Sequence, residues 1–192
     1  MGRDKLSLQV GGVPIIRRVC AALGAVCEEV IVVAGSEEVS GLPDGTKMTR
    51  DLRPGSGGSG AGPLAGLEAG LSRARYPAAF VAAGDMPFVS PELASHALRR
   101  LRSGGVSAVV PRFEGRWEPL CAAYKGETLG AVSEALDEGV EAMRLFIERL
   151  PEVEEIYEEE FRRFGEPELL LMNVNSPEDL ARARAAGQSR LG

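Results

Sequence analysis

Cysteine is scarce in this sequence, and so are aromatic residues and histidine. The three cysteines, Cys20, Cys27 and Cys121, are odd in number and never stand in a C-x-x-C pair, so neither a disulfide framework nor a zinc site is indicated. A reducing cytosolic compartment is the expectation. Positive charge is also short: 22 Lys and Arg against 28 Asp and Glu leave a net charge of −6. That balance opposes nucleic acid as the main partner, because affinity for it rests on neutralising phosphates. Small anions stay admissible at a site arranged for them. No apolar run approaches the roughly eighteen residues that a membrane span needs, and charges fall within the first four residues. Leu6 stands where a myristoylation signal has Ser or Thr. The single histidine, His96, sits inside a helical stretch and reads as structural.

What is abundant is glycine, with 24 residues in a chain of 192. The length fits one domain spanning residues 1–192, large enough to bury a sizeable core. The glycines point to several loops of special geometry, and function is sought there. Between those loops, strand-length apolar runs alternate with helix-period stretches, which implies an α/β fold. The runs EEVIVVAGS, TKMTRD, AAFVAAGDMP, SAVVPRF, EPLCAAY and LLLMNVNS read as strands. Helices are expected over PIIRRVCAALGAV, from Pro63 in GPLAGLEAGLSRA, from Ser90-Pro91-Glu92 to Leu101, over TLGAVSEAL and EAMRLFIERL, and over SPEDLARARAAG. Ser176 is the expected N-cap of the last one. Strands apolar throughout imply a largely parallel sheet covered on both faces, and such sheets bind ligands beyond the carboxyl ends of their strands.

Those ends carry chemistry. Asp85 closes the most apolar strand, in AAGDMPF, where a carboxylate is placed to hold Mg²⁺ beside substrate phosphates; a turn-forming or capping Asp is the alternative. Asp51 ends TKMTRD, just before the Gly-rich RPGSGGSGAGP, which leads into the N-terminus of the Pro63 helix. An anionic ligand is received at such a terminus, although a plain flexible lid also has this composition. Lys5, in MGRDK, offers an ammonium to a triphosphate, against the alternative of a solvated chain end. Trp117 beside Arg116 offers a stacking surface for a flat heterocycle, or simply packs on the sheet. The acidic PEVEEIYEEEF has no calcium-loop glycine and reads as a solvated face.

Taken in order, these stretches resemble the molybdenum cofactor guanylyltransferases, the MobA-type branch of the nucleotidyltransferases. MGRDK resembles the end of the opening motif L-A-G-G-x-S-x-R-M-G-x-D-K, GPLAGL the segment after a nucleotide-binding Asp, and GDMPF a metal-binding x-D-x-P. NVNSPEDL is similar to N-V-N-T-P-E-[DE]-L, the most discriminating of the four. The sequence departs from the family at Val33-Ala34-Gly35, where members often carry Asn, and in the longer loop before GPLAGL. The resemblance implies a single-domain, Rossmann-like nucleotidyltransferase fold with a mostly parallel sheet. It implies transfer of GMP from GTP to Mo-molybdopterin with Mg²⁺ required, giving molybdopterin guanine dinucleotide and pyrophosphate. By the same resemblance Lys5 and Asp85 are catalytic, Lys5, Asp51 and Asp85 bind nucleotide, and Asp85 holds the metal. Asn173, Asn175 and Arg116 are assigned to the pterin. The product is handed to a molybdoenzyme or its chaperone. Rival readings are a cytidylyltransferase or another small-molecule nucleotidyltransferase, and a non-catalytic cofactor-binding protein.

The resemblance also implies that MGRDK is a fragment of a motif. The expected missing part is a strand from the middle of the sheet with the Gly-rich loop after it, about 15–20 residues encoded upstream, as for a βα unit of usual size.

Overall fold

The computed structural model describes residues 8–35, 39–53 and 62–189. A short hairpin, β1 (Gln9–Val10) with β2 (Val13–Pro14), leads into α1 (Ile15–Gly24). Then β3 (Ile31–Ala34) pairs in parallel with β4 (Lys47–Arg50), and α2 (Pro63–Arg73) follows. The second half builds a five-stranded sheet from β5 (Ala78–Ala82), β6 (Ala108–Phe113), β7 (Arg116–Trp117), β8 (Cys121–Lys125) and β9 (Val153–Ile156). Its helices are α3 (Pro91–Ser103), α4 (Leu129–Asp137), α5 (Met143–Ile147), α6 (Glu158–Phe161), α7 (Pro167–Leu170) and α8 (Pro177–Ser189).

The α/β architecture follows the sequence pattern, but the sheet is mixed rather than mostly parallel. Strand β8 lies antiparallel between β5 and β6, and β7 turns back antiparallel on β6. Only β3 with β4 and β6 with β9 are parallel pairs among the described residues. The cause is local: Glu114 and Gly115, at φ 48° and 74°, make a two-residue turn with both φ positive, which sends the chain straight back.

Period-2 alternation divides the sheet's side chains between two helical layers. Ala108, Val110, Ala122 and Tyr124 pack with Leu64, Leu67, Val132 and Phe146 of α2, α4 and α5. Val109, Cys121 and Ala123 turn the other way, onto Leu93, Ala97 and Leu101 of α3. Burial on both faces is why these strands read as continuous apolar runs.

Two expected elements differ. LLLMNVNS is not a strand: α7 ends at Leu170, and residues 172–175 form an irregular segment. PEVEEIYEEEF is not merely a solvated face, since β9 pairs with β6 and its carboxylates are engaged. Glu155 accepts from Trp117 Nε1 at 2.6 Å and Arg112 at 2.9 Å, and Glu154 accepts from Arg100 Nε at 2.8 Å. His96 has a partner as well, with Nε2 2.8 Å from Glu160 and its ring 5.0 Å from that of Phe164.

Among the described residues, each of β3 and β5 is paired along one edge only. Both strands line one apolar slot of about 900 Å³, walled by Val30–Val33 on one side and Ala78–Ala83 on the other. Every residue of β5 is left half-buried in consequence. No helix among the described residues is long and apolar enough to cross a membrane.

Candidate active site

The slot reaches past the carboxyl ends of β3 and β5, and this end of it is termed the mouth. Gly35 and Gly84-Asp85 follow those strands, Asp51 follows β4, and all four residues line the cavity together with Asn173 and Asn175. Four of the residues singled out in the sequence are thus brought to one mouth: Asp51, Asp85, Asn173 and Asn175. Their elements come from positions far apart in the chain, and the end of the sheet is what gathers them.

The α2 helix starts at the same mouth. Gly62, at φ 89°, turns the chain into Pro63 at the first helical position, and Gly62, Pro63 and Gly66 line the cavity. No side chain caps this terminus among the described residues. Its first N–H groups therefore remain donors for an anion, with the positive end of the helix dipole behind them. On the same helix, a Cβ added at Gly70 would stand 3.5 Å from a Val33 methyl, in ordinary contact, so α2 lies close on β3.

The NVN stretch is held by its middle. Val174 is fully buried, and its N–H donates to the Asp85 carbonyl at 3.0 Å. Asn173 and Asn175 are both exposed on either side of it. The stretch then runs into α8 through a reciprocal cap. Asp179 N–H donates to Ser176 Oγ at 3.1 Å, and Ser176 N–H donates to Asp179 Oδ2 at 3.0 Å. The Ser176 hydroxyl, first, and the backbone N–H groups hold the Asp179 carboxyl below its usual range. The N-cap expected at Ser176 is confirmed with its partner.

Beside the mouth lies a polar lock that sequence reasoning missed. Arg53, two residues after Asp51, donates from Nε to Glu68 Oε2 at 2.8 Å and from Nη2 to Glu68 Oε1 at 2.9 Å. Its Nη1 reaches Asp137 at 2.6 Å, and Ser133 Oγ donates to Glu68 Oε1 at 2.7 Å. The Glu68 side chain is only 6 % exposed. The Arg53 hydrogen bonds outweigh its desolvation and hold its carboxyl below the usual range. The signal was available: Glu68 is the lone charge in PLAGLEAGL, an otherwise small and apolar helix.

Other expected residues lie elsewhere. Arg116 stands on the β6–β7 hairpin, where it meets Glu114 at 3.3 Å, and it does not line the cavity. Its companion Trp117 packs against the sheet and donates to Glu155. Lys5 and most of the Gly-rich loop lie outside the described residues. Among the described residues, no three His, Cys, Asp or Glu gather as a metal cage.

Comparison with known proteins bears on the family and the fold. The sequence profile of the MobA-like NTP transferase domain matches residues 1–153. A protein of Pelotomaculum thermopropionicum named "Probable molybdenum cofactor guanylyltransferase" is 37% identical over 193 residues, which is 100% of this chain and 90% of that one. A protein of Natronomonas pharaonis with the same name is 34% identical, over 94% of this chain and 88% of its own. Among solved structures, molybdopterin-guanine dinucleotide biosynthesis protein A from Archaeoglobus fulgidus is 25% identical and superposes with a TM-score of 0.78, over 98% of this chain and 92% of its own. The 2-C-methyl-D-erythritol 4-phosphate cytidylyltransferase of Thermus thermophilus, 24% identical, shares the fold with a TM-score of 0.71, over 97% of this chain and 95% of its own.

Proposed function

The chain belongs to the MobA-like NTP transferase family, and from that premise we propose that it transfers GMP from GTP to Mo-molybdopterin. A phosphate oxygen of molybdopterin attacks the α-phosphorus of GTP. The new P–O bond forms as the bond to pyrophosphate breaks, and the products are molybdopterin guanine dinucleotide and pyrophosphate. The observation that carries this reading is the convergence of Asp51, Asp85, Asn173 and Asn175 at the one mouth where α2 presents its N-terminus.

Such a transfer needs its reactants in line and its charge stabilised, more than it needs a general base. The α2 terminus and Lys5 supply positive potential to the triphosphate, and Asp51 contacts the nucleotide. Asn173 and Asn175 offer amide donors and acceptors to the pterin. Asp85 is the residue that would hold Mg²⁺. A strand-end carboxylate suits this ion, which takes one or two carboxylates and completes its shell with water and substrate phosphates; bound there, it would neutralise charge on the transferring and leaving phosphates. The enzyme works in the cytoplasm and passes its product to a molybdoenzyme or that enzyme's chaperone.

Thermal-shift titration with GTP, CTP and ATP, each with and without Mg²⁺, tests the assignment. A ligand that binds only the folded chain raises the melting temperature according to its affinity. Stabilisation by GTP above the other two, enhanced by Mg²⁺, is expected. Preferential stabilisation by CTP overturns the guanylyl reading.

A further inference from the structure

We propose that Arg53 is a positioning residue for the nucleotide site, acting by clamping the Asp51-bearing end of β4 to the body of α2. Its consequence for GTP rests on the function proposed above; the clamp itself does not.

The geometry assigns this role to Arg53 in three respects. It stands two residues from Asp51, and neither Arg53 nor Glu68 lines the cavity, so Arg53 acts through other groups. Its guanidinium grips both oxygens of Glu68, at 2.8 and 2.9 Å, from the middle of α2, the helix whose first turn opens on the site. It also reaches α4, donating to Asp137 at 2.6 Å and to the Ser133 carbonyl at 3.2 Å. One planar fork therefore joins the end of β4, the middle of α2 and the end of α4. A two-point grip on a carboxylate restricts orientation as well as distance, which a point charge does not do.

Burial makes the grip selective. With Glu68 almost wholly enclosed and held also by Ser133, its carboxylate has little freedom to move toward another partner. Arg53 is the one cation within hydrogen-bond reach of it among the described ion pairs. The separation between Asp51 and the α2 N-terminus, both at the mouth, is set through this clamp.

The test compares Arg53→Gln, Arg53→Lys and the double variant Arg53→Gln with Glu68→Gln, which leaves no buried charge unpaired. Hydrogen exchange of the 192-residue chain without ligand reads the clamp directly. Faster exchange confined to residues 51–53 and to the part of α2 around Glu68 is expected in Arg53→Gln and the double variant. Arg53→Lys, which keeps the charge and loses the fork, should fall between these and the wild type. In GTP turnover, the KM for GTP should rise about tenfold, with kcat and the KM for the pterin held within about threefold, as for lost ground-state positioning. Exchange at 51–53 unchanged from wild type in the folded double variant overturns the clamp. An unchanged KM for GTP in that variant overturns its role at the site. A wild type that turns over no GTP, with the exchange effect intact, would count against the proposed function while leaving the clamp standing.

Discussion

The N–H of Val174 donates to the carbonyl of Asp85 at 3.0 Å, and this one bond fixes the NVN stretch against the end of β5. Val174 is fully buried, so the exposed asparagines on either side of it take their places from its anchoring. The residues assigned to the pterin and the residue assigned to the metal are positioned as one unit.

Asp85→Asn should therefore separate charge from shape. The amide keeps one acceptor and the backbone bond to Val174, but it loses the negative charge that holds Mg²⁺. Activity should fall by about a hundredfold or more, as when one preorganised electrostatic contact is removed. The thermal midpoint should stay near that of wild type. Near-normal turnover at saturating Mg²⁺ would show that Asp85 is not the metal ligand.

Asn173→Ala and Asn175→Ala should raise the KM for the pterin substrate and leave that for GTP nearly unchanged. Each loses amide groups worth about 0.5–1.5 kcal/mol in a typical hydrogen bond, or roughly three- to tenfold in binding. Steady-state kinetics with each substrate varied in turn decides the matter. An effect confined to GTP would move the NVN stretch to the nucleotide side.

Much of this arrangement was legible in the sequence. Apolar strand runs located β3, β5, β6 and β8, while Asp85 after β5, Asp51 after β4 and the two asparagines of the NVN stretch were singled out as polar groups of the mouth. Two kinds of feature were not legible. LLLMNVNS has a strand's composition, but Pro167 at the first position of α7 starts a helical turn, so the apolar residues pack from that turn and from the irregular segment after it. Strand β9 was hidden because Glu154 and Glu155 look solvent-facing until Arg100, Arg112 and Trp117, remote in the chain, arrive to pair with them. Tertiary pairing of this kind leaves no local periodicity to read.

Glu68 should make stability pH-dependent on the acid side. Its folded carboxyl lies below the usual range because of Arg53, so its contribution is fully present above about pH 4.3, the usual unfolded value, and disappears as pH falls through the lower folded value. Glu68→Gln should lose about 2–3 kcal/mol at neutral pH, less than the 3–5 of a fully buried pair because Arg53 is partly solvated and keeps Asp137. The difference from wild type should shrink toward pH 3. A constant difference across urea midpoints from pH 3 to 7 would contradict this.

The most direct test of the central claim is pyrophosphate release from GTP with Mg²⁺ and Mo-molybdopterin, measured with the product identified and with CTP run in parallel. The protein should release one pyrophosphate for each molybdopterin guanine dinucleotide made. Omitting Mg²⁺ should abolish the reaction, and CTP should give far less product. Equal or faster turnover of CTP, or pterin binding with no pyrophosphate released from GTP, would contradict the assignment.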